Sequence, residues 1–217
     1  MSIGVLLGGC GYYDGTDAHE AVFTLLAIEN AGERAILIAP DIDQDRVVDH
    51  LTGDEVSETR NVMRESARLA RLPIHSLAGT RPEELEALII PGGYGPVVNF
   101  STGFARVGER RRLRGDVETF LGLCLAARLP IGCVSLGEIP LRTTLGEDIA
   151  VPESPRSPTA LAVDRDRAIV HTPGSTAFTR LADVKAGIDA MVAGVLSLVQ
   201  ERRRQAASAA RNAPDPS

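Results

Sequence analysis

Leu129-Pro130-Ile131-Gly132-Cys133-Val134-Ser135-Leu136-Gly137-Glu138 reads as a short apolar strand that breaks abruptly into a glycine-containing turn. A strand ending in a sharp turn can hold one side chain up into a cleft, with backbone N–H groups beside it. The side chain at this bend is Ser135. Two roles fit it. One is a nucleophile, which needs a neighbouring base to take its proton. The other is the N-cap of the next helix, a position serine favours, and spacing alone favours the cap.

Outward from this elbow the same pattern recurs. Apolar runs at residues 3–8, 35–39, 87–91 and 130–134 read as buried strands. Between them lie helical patterns: one that Asp17 can cap and that stops near Gly32, one over 58–70, and one over 116–128. Residues 160–163 and 168–171 read as two short strands flanking the polar turn 164–167, and 182–200 as a long final helix. Continuous apolar strands alternating with amphipathic helices indicate an α/β fold, a largely parallel sheet covered on both faces in three layers. Residues 1–200 form one domain in this reading, and 201–217, rich in Arg and Ala and then Pro and Asp, form a flexible tail.

Bulk properties narrow the function classes. The chain of 217 residues is 44% apolar and 24% charged, as expected of a globular protein. Its formal charge of −6 argues against nucleic-acid binding, which needs a basic surface. No apolar run approaches the roughly 20 residues that span a bilayer, so no membrane partner is expected. The three cysteines, Cys10, Cys124 and Cys133, have no metal-type spacing and cannot all pair, which fits a reducing cytoplasm. The four histidines are scattered, and no metal or other cofactor is expected.

In a parallel sheet the ligand site lies beyond the carboxyl ends of the strands. Three glycine-bearing loops meet there, at 8–15, 91–95 and 135–137. Glu20 opens the first helix and belongs to the same edge. Beside an apolar wall its carboxyl can stay protonated and act as an acid; as a solvated first-turn Glu it would only complement the helix dipole, and sequence alone favours the second role. The N–H groups of Gly92, Gly93 and Leu136 are candidate oxyanion or ligand contacts. His19 and Cys10 are accessory candidates: His19 fits a surface position equally well, and Cys10 is the thiol expected to be exposed near the cleft. The glycine loops match neither a P-loop nor a dinucleotide fingerprint.

Several segments together resemble the ElbB family of isoprenoid-biosynthesis-associated glyoxalase-like proteins, in the PfpI branch of the class I glutamine amidotransferase-like superfamily. They are GVLLGGCGYYDGTDAHEAV, HLTGDEVSETRNVMRESARLAR, LEALIIPGGYGPVVNFS, TLGEDI, AIVHTP and GIDAMV. The resemblance implies a flavodoxin-like sandwich with a nucleophile at the elbow position, Ser135, facing Glu20, and oxyanion contacts from Gly92 and Gly93. It implies a small carbonyl or carboxylate ligand. The reaction converts α-oxoaldehydes such as glyoxal and methylglyoxal to hydroxy acids without glutathione or metal. Resembling proteins carry a cysteine at the elbow, and a serine is far less ionised at neutral pH. The stretches 136–143 and 151–158 are also shorter than the resemblance leads one to expect. Weak glyoxalase-like activity is therefore one expectation. A non-enzymatic, small-anion-binding or regulatory homodimer that keeps the fold is the other.

Overall fold

In the computed structural model, residues 1–101, 112–146, 149–151 and 157–211 are described. Seven strands form one sheet in the order β3-β2-β1-β4-β5-β7-β6. They are β1 (Ser2–Leu6), β2 (Arg34–Ala39), β3 (Ile74–Ser76), β4 (Ala87–Ile90), β5 (Ile131–Val134), β6 (Ala162–Asp164) and β7 (Ile169–Thr172). All pairings are parallel except β6 with β7. The helices are α1 (Ala18–Asn30), α2 (Val62–Ala70), α3 (Gly95–Val98), α4 (Gly115–Ala126), α5 (Ile139–Leu145) and α6 (Leu181–Arg211). This is the expected three-layer, flavodoxin-like α/β sandwich with a mostly parallel sheet.

The period-2 alternation of strand side chains builds the two cores. In β4, Ala87 and Ile89 face the layer of α1 and α6, while Leu88 and Ile90 face the layer of α4 and α5. On α6, Val184, Ile188, Met191 and Val195 recur at helical spacing and are buried on the first face. Burying each such side chain contributes roughly 1.5–3 kcal/mol. The helix continues past Gln200 to Arg211, and its residues 202–208 are exposed.

Two expectations need correction. The helix read from residue 58 begins at Val62, because the Asn61 side chain caps it by accepting from the Arg64 N–H. The residues before Asn61 are instead tied to the chain after β2: Gln44 N–H donates to Arg60 C=O, and Asp43 bridges to Asn61. The short edge strand β3 is also missing from the sequence reading, its three residues being too few to show a period. Part of the shortened stretch at 151–158, and the end of the expected tail, lie outside the described residues.

The chain runs outward from β1 to β2 and β3, then returns to β4 and proceeds the other way. The switch in direction falls between β1 and β4, where an open α/β sheet leaves a crevice beyond the strand ends. The loops after β1, β4, β5 and β7, four neighbouring strands, open onto it.

Candidate functional site

Donors from three strand ends converge on one carboxylate that follows a fourth. Glu20, on the first turn of α1 after β1, is fully buried. Its Oε2 accepts from Ser135 Oγ–H after β5 (2.9 Å) and from Gly92 N–H after β4 (2.8 Å). Its Oε1 accepts from Ser175 N–H (2.9 Å) and lies 2.7 Å from Ser175 Oγ, after β7. Burial pushes the Glu20 carboxyl above its ordinary value, and neighbouring Asp17 adds to this; the bonds from Ser175 and Ser135 pull part of the way back. The solvated first-turn Glu favoured by sequence alone is thus replaced by a sealed one.

Local sequence explains each position. Asp17 caps α1 with its Oδ1, accepting from His19 N–H (2.8 Å) and Glu20 N–H (3.2 Å), and so fixes where Glu20 begins. The loop before it is braced by the 41–61 excursion. His50 Nε2 accepts from Tyr12 N–H (3.0 Å), Asp14 Oδ2 accepts from Val48 N–H (2.8 Å), and Gln44 Nε2 donates to Asp14 C=O (3.0 Å). The HLTG…ETRN stretch therefore has a structural task beside the site.

Ser135 adopts φ 46°, the left-handed region that a residue with a Cβ seldom enters. That conformation turns the hydroxyl onto Glu20 while the carbonyl faces His171, whose Nε2 lies 3.2 Å away and donates to it. Burial pushes the His171 imidazole below its ordinary value, consistent with a neutral ring held as a donor. Ser135 caps no helix. Between the two roles left open by the sequence, the geometry is that of an elbow residue paired with a carboxylate.

Glycine is required twice around the pair. A Cβ on Gly92 would collide with Ser135 Oγ, and would lie 2.6 Å from Val134 O and 2.8 Å from Glu20 Oε2. At Gly174, with φ 51°, a Cβ would lie 2.5 Å from Val134 Cγ1 and 2.6 Å from Glu20 Oε1. Both loops approach the carboxylate as closely as a backbone can.

The other candidates separate. Gly92 spends its N–H on Glu20, so the oxyanion donor expected there is already engaged. Gly93 packs on the loop after β1, bridging to Thr16. Leu136 is the second residue of the 3₁₀ turn Ser135–Glu138, where an N–H has no partner within the turn, and it is the remaining backbone candidate at the elbow. The His19 side chain is 62% exposed and stacks on Phe23, away from the pair. Cys10 is half-buried and neighbours Glu65 and Arg68; burial and then Glu65 push its thiol up. Cys133 is fully buried in β5 with its thiol pushed well up, and Cys124 is pushed up to about 12. None of the three is poised as a thiolate. Among the described residues no group of three or more His, Cys, Asp or Glu could hold a metal, and no helix is long and apolar enough to cross a membrane.

Ser175 is the site residue that sequence reasoning missed. The sequence reading gives 168–171 as a short strand after the polar turn 164–167 without a partner; β7 pairs antiparallel with β6 and also in parallel with β5. That parallel pairing sends the Pro173-Gly174-Ser175 turn to the ligand edge. The turn carries a glycine like the other loops at that edge, but the pairing with β5 that brings it there is tertiary and has no local signal.

No family model matches the chain. It is 34% identical to the ES1 protein homolog, mitochondrial, of Rattus norvegicus, over 90% of this chain and 83% of that protein. It is also 34% identical to the human glutamine amidotransferase-like class 1 domain-containing protein 3, mitochondrial, over 90% of this chain and 82% of that protein. A solved structure from Ehrlichia chaffeensis, an isoprenoid biosynthesis protein with amidotransferase-like domain, superposes with a TM-score of 0.82 at 26% identity, over 91% of this chain and 99% of that one. Drosophila melanogaster DJ-1beta shares the fold, with a TM-score of 0.52 at 14% identity over 92% of this chain and 94% of that one. With its Ser135 elbow facing Glu20 across the switch point, the chain belongs to the ES1 family of class I glutamine amidotransferase-like proteins.

Proposed function

We propose that the Ser135–Glu20 pair transforms small α-oxoaldehydes such as methylglyoxal or glyoxal into hydroxy acids, slowly and without a cofactor, in an ElbB-like manner. The observation that carries this reading is the 2.9 Å contact between a strained elbow hydroxyl and a buried carboxylate. A carboxyl raised from 4.5 stands nearer to neutral pH, where it can both take and return a proton.

In this scheme Ser135 Oγ bonds to the aldehyde carbon, and its proton passes through Glu20 to the aldehyde oxygen, giving a hemiacetal. Glu20 then removes the hydrogen on that carbon while the hemiacetal hydroxyl proton passes to the adjacent carbonyl oxygen, giving an enediolate. Return of the hydrogen from Glu20 to the adjacent carbon leaves a hydroxyl there and a carbonyl at the serine-bonded carbon. The product is a hydroxy-acid ester of Ser135. Water cleaves the ester, releases the hydroxy acid and restores the serine. The Leu136 N–H supports the negative oxygen during addition. The rate is held down by the hydroxyl, a poorer nucleophile than a thiolate.

The alternative reading is a non-enzymatic protein that binds a small anion or acts as a regulatory homodimer. The near-complete burial of Ser135, 4% exposed, favours it. The test is conversion of ¹³C-methylglyoxal, followed by NMR, in the native protein and in Glu20→Ala. Lactate formed by the native protein and lost in the variant supports the reaction. Native conversion no faster than a buffer blank sinks it, and stabilisation by small carboxylates would then favour the alternative.

A further inference from the structure

Ser175 Oγ stands between two acids. It is 2.7 Å from Glu20 Oε1 and 3.2 Å from Asp17 Oδ2. A hydroxyl has one hydrogen, so it can satisfy only one of two ionised carboxylates. The other contact would then bring two oxygen atoms together with no hydrogen between them, in a place where Glu20 is fully buried and Asp17 nearly so. One added proton resolves this: Glu20 Oε1–H donates to Ser175 Oγ, and Ser175 Oγ–H donates to Asp17 Oδ2. Glu20 Oε2 still accepts from Ser135 Oγ–H and Gly92 N–H.

We propose that the Ser175 hydroxyl carries a proton between Glu20 and Asp17, so that the two acids share one proton and Asp17 stores the one Ser135 releases. The shared proton belongs to the resting protein; its use in turnover rests on the reaction proposed above. As Ser135 Oγ bonds to the aldehyde carbon, its proton lands on Glu20 Oε2. The proton on Glu20 Oε1 moves to Ser175 Oγ, and the Ser175 proton moves to Asp17 Oδ2. The substrate oxygen holds the negative charge until the shift reverses and protonates it. Ser175 is thus a positioning residue acting through Glu20, and the N-cap Asp17 gains a second task. Among the described residues, the Tyr12 phenol, pushed above its ordinary value by burial first and then by Tyr94, Asp17 and Glu20, also faces this chain, and the His19 imidazole lies 3.8 Å from Asp17 Oδ1.

The test is ¹³C NMR titration of the Asp17 and Glu20 carboxyl carbons in the full chain. In the native protein both resonances should follow the same two steps, separated by more than about one pH unit, as for any strongly coupled pair. Ser175→Ala should uncouple them into single independent steps, and Ser175→Thr, which keeps the hydroxyl, should restore the shared pattern. Independent single-step titration in the native protein overturns the proposal, and so does a shared pattern that persists in Ser175→Ala. Methylglyoxal conversion measured in parallel separates the two claims. Coupled titration without conversion retains the shared proton and rejects the reaction, whereas conversion with uncoupled titration does the reverse.

Discussion

The two ends of the sheet are built on opposite terms. At the carboxyl ends of β1, β4, β5 and β7, polar groups are buried and bonded to one another, with Glu20 taking hydrogen bonds from Ser135, Gly92 and Ser175. At the other end, between the start of β2, the end of α1 and the 72–85 segment, lies a cavity of about 670 Å³ lined by Leu25, Ile28, Leu37, Leu72 and Leu85. That cavity holds apolar side chains and a rim of charge, whereas the Glu20 cluster is closely packed and polar. The proposed reaction is built on the buried carboxylate and its donors, and open volume plays no part in it.

Glu20→Ala should expose that contrast most strongly. It strands the Gly92 and Ser175 N–H groups and the Ser135 hydroxyl in a buried place, at roughly 1–3 kcal/mol for each group left unsatisfied. Urea unfolding should show a midpoint well below that of the native protein, and an unchanged midpoint would mean water already serves these donors. A paired glycine test compares the two ends directly. Gly92→Ala drives a methyl into Ser135 Oγ and the Glu20 carboxylate and should cost about 1–3 kcal/mol by overpacking. Gly79→Ala, beside the apolar cavity with nothing within 4 Å of its new methyl, should be neutral or stabilising by about 0.4–1 kcal/mol. Equal losses in thermal unfolding would erase the distinction.

The smallest effect is a slope with pH. Because the folded Glu20 carboxyl is raised above 4.5, the native state binds more protons than the unfolded chain over the interval above that value. Its contribution is therefore complete below about pH 4.5 and is lost as pH rises through the folded value. Glu20→Gln, which mimics the protonated acid, should flatten that part of the stability–pH curve. A variant curve parallel to the native one would show that Glu20 does not titrate there.

Much of this architecture is legible in the sequence. Apolar runs such as 87–91 and 130–134 announce buried parallel strands, and the position of Ser135 after one of them places it at the ligand edge. The burial of Glu20 was not legible, because a first-turn Glu after an N-cap looks the same whether it faces water or a wall. Only the approach of the Gly92 and Gly174 loops, set by packing between distant segments, decides it. Ser175 was hidden for a related reason: the partner of β7 is chosen by tertiary pairing with β5, and nothing local in residues 168–175 distinguishes a hairpin arm from a parallel strand.

The central claim is that Glu20, its donors and the elbow form an assembled reaction centre limited by the atom at position 135. Ser135→Cys tests this most directly, through the initial rate of lactate formation from methylglyoxal at pH 7. A thiol is far more ionised than a hydroxyl there, so the rate should rise by about tenfold or more over the native protein. A folded Ser135→Cys protein no faster than the native one would contradict the account.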